Sequence, residues 1–130
     1  MSVIITQNLN KINTIKFDWT ADSNGDVLET YLTSSQMKNI SGWYVNMAIT
    51  IPKSPSPTNL YDIELLDEND FDIFGGKLLN RSNTTVEQAI PQIITGVLGP
   101  RQVNIQPLLF KLTNNIISGA KGSCQIFFVR

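Results

Sequence analysis

The chain has no histidine in 130 residues. The commonest general base and the commonest metal ligand are therefore both missing. A single cysteine, Cys124, excludes an intrachain disulfide and any zinc site built from a cysteine cluster. Cys124 lies in an apolar run near the C-terminal end and is expected to be a small buried hydrophobe. Charge of one sign is lacking too: ten basic residues stand against eleven acidic ones, a formal net charge of −1. That gives no electrostatic case for a nucleic-acid partner or for an anionic membrane. No run approaches the roughly 18 apolar residues of a spanning helix. The opening MSVIITQNLNK sets no basic stretch before an apolar core, so no secretory signal is expected. The three Asn-X-Ser/Thr sequons, at Asn39, Asn80 and Asn83, then read as by-products of an asparagine-rich composition.

What is present reads as β structure. The length suits one domain with a real core, and a hydrophobic content of 42% is ordinary for a globular chain. Ser2–Gln7 is a short β-branched run, an edge strand or an arm. In Thr14–Thr20, Ile15, Phe17 and Trp19 share one face, as a half-buried strand requires. Asn24-Gly25 signals a hairpin turn, with Val27–Leu32 as the returning strand. Ser34–Asn39 is less regular, a loop or a brief helical turn. Ser41–Ile51 is the longest alternation, with Trp43, Val45, Met47 and Ile49 on one face and Tyr44, Asn46, Ala48 and Thr50 on the other. Trp43 is expected between the sheets and Tyr44 as a possible exposed contact. Pro52, Pro55 and Pro57 then force a loop, because proline cannot donate to a strand ladder.

The stretch from Asn59 to Gly76 organises the rest in this reading. Tyr61, Ile63 and Leu65 oppose Asp62 and Glu64, an acidic turn follows at Asp67–Asp70, and Phe71 and Ile73 begin a return strand that ends at Gly75-Gly76. It is expected to be the central hairpin. Beyond it, Thr84 and Glu87 match a capping box, which predicts a short helix stopped by Pro91. Ile93-Ile94 offers a strand edge and the remainder to Pro100 reads as loop. Val103–Thr113 and Ser123–Val129 are two more strands, joined as a hairpin. Seven or eight short strands with one brief helix predict an all-β fold, an antiparallel sandwich or jelly roll. The expected organisation is a single β-sandwich domain over residues 1–130, with 1–13 as an N-terminal arm or edge strand.

The acidic cluster Asp62, Glu64, Asp67, Glu68, Asp70 and Asp72 is the obvious place to look for chemistry. An EF-hand template started at Asp67 meets Phe71 at its fifth position, Asp72 where glycine belongs and Leu78 where the closing acid belongs, so it fails. A glycosidase pair would need carboxylates facing each other across a cleft, which spacing along one strand does not supply. There is no G-x-S-x-G elbow, and Gly75-Gly76-Lys77 lacks phosphate-loop spacing. No catalytic, cofactor-binding or metal-binding residue is assigned, and the chain is read as a non-enzyme.

With the strands placed, the chain resembles a group of small structural proteins of tailed bacteriophage virions. The resemblance rests on Ser41-Gly42 opening a strand that runs to a proline-rich loop. It continues through Pro57-Thr58-Asn59-Leu60-Tyr61-Asp62-Ile63-Glu64-Leu65, the acidic turn and Phe71-Asp72-Ile73-Phe74-Gly75-Gly76. Leu79-Asn80-Arg81-Ser82, Glu87-Gln88 and the C-terminal stretch from Leu112-Thr113-Asn114-Asn115 through Gly122 to Arg130 complete it. It covers roughly residues 41–130. The related pattern commonly holds a glycine in the acidic turn, and Asn69 is the expected stand-in.

The resemblance implies a structural role without catalytic residues. The expected partners are other virion proteins, either the major capsid protein or neck and tail proteins. The chain would act as head decoration or cement, or as a ring subunit, and would self-associate symmetrically in a virion assembled in the host cytoplasm. No nucleic acid and no membrane is expected as partner. The alternative from another class is a carbohydrate-binding sandwich, which would need two or three aromatics on one exposed face. Three stretches are candidate contacts: Met1–Asn13, the Pro52–Pro57 loop, and Asn80–Pro100, where Ile93, Ile94, Val97 and Leu98 lie exposed unless something covers them.

Overall fold

The computed structural model describes residues 1–9, 12–103 and 107–130. It is mostly β, with antiparallel sheets in a sandwich-like arrangement. The larger sheet has the order β1 (Ser2–Leu9), β2 (Asn13–Thr20), β11 (Lys121–Val129), β4 (Tyr44–Pro52), β6 (Glu87–Ala89), and β9 (Arg101–Gln102) also pairs with β4. The smaller sheet has the order β3 (Thr30–Tyr31), β10 (Leu109–Thr113), β5 (Asp62–Leu66). A separate two-stranded hairpin joins β7 (Gln92–Ile94) and β8 (Val97–Leu98). The one helix among the described residues, α1 (Ser34–Ile40), is too short to cross a membrane.

Sequence periodicity accounts for the inner layer. Ile15, Phe17 and Trp19 of β2 are all buried, and so are Cys124, Ile126 and Phe128 of β11 beside them. Ile63 and Leu65 of β5 and Phe110 and Leu112 of β10 close the core from the other sheet. Phe17 stacks on Phe110 at 4.4 Å between ring centroids, and Trp19 packs at a tilt on Tyr61 at 5.7 Å. Gly122 has no side chain for a reason: a Cβ there would lie 2.5 Å from the Trp19 ring and 3.0 Å from the Ile51 carbonyl oxygen. The indole therefore lies directly over the β11 backbone.

Several expectations fail, each for a local reason. Asn24-Gly25 does make a turn, held by the Asp22 carboxylate, which accepts from the amides of Asn24 and Asp26. It does not close a hairpin: of Val27–Leu32 only Thr30–Tyr31 is strand, and it pairs with β10 in the other sheet. The helix forms at Ser34–Ile40, where a loop or a brief helical turn is expected, and not after Thr84. Thr33 and Gln36 form the capping box, with Thr33 accepting from the Gln36 amide and Gln36 accepting from the Thr33 amide. At Thr84 there is no helix, because Ser82 Oγ takes the amides of Thr84 and Thr85 and Glu87 enters β6 opposite Thr50.

The Asn59–Gly76 stretch is not central. β5 is an outer strand of the smaller sheet, and the return is a single bridge between Leu66 and Asp72. Asp67 Oδ1 accepts from the amides of Asn69 and Phe71, and the left-handed angle falls on Asp70 at φ 59°, not on Asn69. Phe71 is exposed while Ile73 is buried. Val97–Leu98, read as loop, is strand β8. Of the expected Val103–Thr113 strand, Leu109–Thr113 is strand, and residues 104–106 lie outside the described residues. The link from β10 to β11 crosses from one sheet to the other and is not a hairpin.

The face assignment of Ser41–Ile51 breaks at one residue. Phe127 faces Met47 but Phe128 faces Val45, so Asn46 is an extra residue in β4. The bulge reverses the alternation: Val45 is buried, and after it Ala48 and Thr50 are buried while Met47 and Ile49 turn outward. Trp43 ends half-buried at the rim, under the Arg130 guanidinium at 5.2 Å. The buried indole of the core is that of Trp19. Trp19→Ala is thus expected to cost about 3–5 kcal/mol, and Trp43→Ala clearly less; paired denaturant titrations read both. Equal losses would contradict this placement.

Candidate functional site

The six acidic residues do not converge on a site. Asp72 accepts from the amides of Leu65 and Phe74 through Oδ1 and from Gly76 through Oδ2 at 2.8 Å. Asp62 accepts from the Asn80 amide at 2.8 Å and from the Asn114 side chain. Asp67 holds its own turn. These three carboxylates are bound to the chain as turn and loop ties. Glu64 faces Lys111 across the β5–β10 pair. Among the described residues no three acidic, cysteine or histidine side chains are grouped to hold a metal ion.

Cys124 is fully buried, and burial pushes its thiol up to about 12. The Tyr61 hydroxyl is raised by burial first and then by its neighbour Cys124, with Arg81 pulling the other way. Neither group is placed to act as a nucleophile, since a reactive thiol needs a lowered value and access.

The exposed aromatics are Tyr31, Tyr44 and Phe71. Tyr31 lines a groove of about 500 Å³ with Asp67, Glu68 and Asp70, while Phe71 lines a smaller one under Arg101, whose guanidinium sits 4.7 Å from the ring centre.

One set of exposed aliphatic side chains lies together on the β7–β8 hairpin, while others, Ile4, Leu28, Leu60 and Ile116 among them, belong to other parts of the chain. Ile93, Ile94, Val97 and Leu98 of the β7–β8 hairpin are all exposed, Ile94 at 65%. Val86 and Ile90 on either side of β6 are exposed as well. The hairpin is firmly held at its base. Arg101 donates to the carbonyls of Gln92 and Ile93, the Gln92 amide donates to Phe74, and the Gln92 side chain donates to Gly75. Gly75 has φ +60°, and a Cβ there would lie 2.4 Å from the Gln92 carbonyl oxygen, so only glycine admits this contact. Between the hairpin and β4 runs a groove of about 670 Å³ lined by Met47, Lys77, Arg81, Ile90, Leu98 and Pro100. Arg81 is fixed there by the Leu79 carbonyl and by Glu87 at 3.9 Å.

The other two candidate contacts divide. The proline-rich loop folds back on its own sheet, with Lys53 and Pro55 bonded to the Lys121 backbone and Thr58 tied to Asn115. Of the N-terminal stretch, Ser2–Leu9 is strand β1, a sheet edge, and residues 10 and 11 lie outside the described residues. Sequence had named the four hairpin aliphatics but neither Ile90, which follows a strand read there as helix, nor the clamp by Arg101, which follows Gly99-Pro100 in a stretch read as loop. No family model, curated protein or solved structure matches the chain.

The buried thiol gives a test with a defined sign. Below pH about 9, its ordinary value, Cys124 is protonated folded or unfolded and adds no pH dependence. Between pH 9 and 12 the unfolded chain releases a proton that the folded chain keeps, so stability falls, at about 1.4 kcal/mol per pH unit. The raised Tyr61 acts in the same direction at higher pH. Unfolding free energies of the parent are therefore expected to drop more steeply from pH 9 to 11 than those of Cys124→Ala, and equal slopes would contradict a fully buried thiol.

Proposed function

We propose that the chain is a non-enzymatic structural subunit of a tailed-phage virion, docking on other virion proteins as a head decoration or cement protein or as a neck or tail ring subunit. The observation that carries this reading is the exposed aliphatic hairpin Gln92–Leu98, with exposed Ile90 lining a groove beside Leu98. Contiguous apolar surface of this kind marks a contact with another protein. The clamps from Arg101 and Gly75 hold the hairpin in place before any partner arrives, so little entropy is lost on docking. The sequence resemblance over residues 41–130 supplies the class of partner: capsid, neck or tail proteins, repeated on a symmetric lattice. The Lys77 and Arg81 side chains in the groove favour a partner segment that brings acidic as well as apolar side chains.

A carbohydrate-binding module ranks second. Tyr31 and Phe71 line neighbouring grooves that share Asp67, but the Arg101 guanidinium already covers one face of the Phe71 ring, where a stacking sugar would sit.

The test is a double substitution on the hairpin, Ile94→Asp with Val97→Asp. Both side chains are exposed, so the unfolding midpoint is expected to stay where it is. Incorporation into particles is expected to fall about tenfold or more, the scale of losing a central apolar anchor. A parent protein that is absent from purified particles would overturn the reading, and so would full incorporation of the double variant.

A further inference from the structure

We infer that β1 is an open sheet edge that pairs antiparallel with β1 of a second copy, across a two-fold axis at Ile4. This deepens the assembly reading, on which it rests for where copies meet in a particle, by naming the partner of one edge.

Among the described residues β1 pairs with β2 alone, so its outer side is the end of the larger sheet. Natural edge strands are normally blunted by charge, proline, a bulge or short length. β1 has none of these. Its eight residues, SVIITQNL, carry no charge and no proline, and they pair with β2 from Ser2 to Leu9 without a register shift. The opposite side of the sheet is blunted. There β4 is covered in pieces, by β6 over Ala48–Thr50 and by β9 over Tyr44–Val45, with the Asn46 bulge between them. Pro91 follows β6 closely and Pro100 precedes β9. A head-to-tail array would need both edges, whereas a two-fold pair needs only β1.

The side chains select the register. Centred on Ile4, the pairing sets Ile4 against Ile4 of the second copy, Val3 against Ile5, and Ser2 against Thr6. These pairs match like with like: Ser and Thr can hydrogen-bond across the strands, and Ile and Val pack well on neighbours of a pleated surface. Ile4 is 63% exposed in the single chain, and Val3 and Ile5 are only half-covered by their own core. The second copy covers what is left. Centring on Ile5 instead would set Ile4 against Thr6 and Val3 against Gln7. Each copy's helix α1 stands at one end of the pairing. It is tied to Gln7, whose side chain donates to the Gln36 carbonyl and accepts from Asn39. In the Ile4-centred register the two Gln7 residues lie six positions apart, roughly 20 Å at strand rise.

The test uses the isolated chain. The parent is expected at twice its 14.5 kDa mass by light scattering. Ile4→Cys places two thiols directly opposite each other, at a strand spacing of about 4.5–5.5 Å that a disulfide spans. It is expected to run as a covalent dimer on a non-reducing gel after mild oxidation. Asn8→Cys, on the same face but far from the axis, is expected to run as a single chain on the same gel while remaining a non-covalent dimer in solution. The native cysteine is fully buried and does not confuse the readout. Ile4→Lys, at an exposed position, is expected to give a monomer that still unfolds cooperatively. A monomeric parent, or a dimer that survives Ile4→Lys and leaves Ile4→Cys unlinked, would overturn the pairing. A monomeric parent that still enters particles would discard this contact and keep the virion reading. A dimer linked through Ile4→Cys that never enters particles would do the reverse.

Discussion

Phe17 of β2 lies against Phe110 of β10 with ring planes 14° from parallel, and the two sheets meet at that contact. Such a stacked pair adds about 0.5–1.5 kcal/mol beyond the area it buries. More depends on it than that energy. Each ring belongs to a middle strand of its own sheet: β2 is held between β1 and β11, and β10 between β3 and β5. Fixing one ring on the other fixes both sheets, and the remaining buried side chains fill the space on either side. Trp19 over Gly122 sets the same layer at one end, where the missing side chain of Gly122 makes room for the indole. Loops at that end are bound together by Asn115, which accepts from the Thr58 amide and donates to the Gly25 carbonyl.

A core fixed in this way leaves the periphery free to carry surface that the fold itself does not need. The β7–β8 hairpin packs no buried aliphatic side chain of its own, and yet Arg101 and the Phe74 carbonyl hold its backbone while the Gly75 carbonyl accepts from the Gln92 side chain. β1 adds an eighth-residue-long ladder to β2 while pointing Ile4 at solvent. In both places apolar side chains are presented on a rigid backbone. That is the arrangement expected of surfaces that wait for a protein partner, because the entropy of ordering them has already been spent on folding.

The strands with one buried face were legible in the sequence, because burial on one face writes a period of two that local context does not disturb. β2 is the clean case, with Ile15, Phe17 and Trp19 inward and Lys16 and Asp18 outward. What was not legible depended on single residues answering to distant partners. The Asn46 bulge leaves no mark in the sequence of β4, since both alternating sets there contain apolar residues; only the register against β11 reveals it. Thr84 and Glu87 have the letters of a helix cap, but Ser82 and Thr50 compete for the same backbone and place it in a strand and its preceding turn. Thr33 and Gln36 carry an equally good cap, and there the apolar residues Met37 and Ile40 find a core to bury in. The acidic turn looked like a candidate site for want of any view of its amides. Once Asp67 and Asp72 are seen accepting from five backbone N–H groups, their conformational role is apparent. The hairpin aliphatics were legible as apolar residues but not as a clamped surface, because Arg101 of β9 and Gly75 of a separate turn reach the hairpin from elsewhere in the chain.

The central claim is that the Gln92–Leu98 hairpin is a docking surface for other virion proteins. Backbone hydrogen exchange, followed by mass spectrometry on the free protein and on the protein within particles, tests it most directly. The account predicts that the peptide spanning Ile90–Leu98 loses exchange on assembly, while the already protected peptides of β10 and β11 stay as they were. Unchanged exchange across Ile90–Leu98 in particle-bound protein would contradict it.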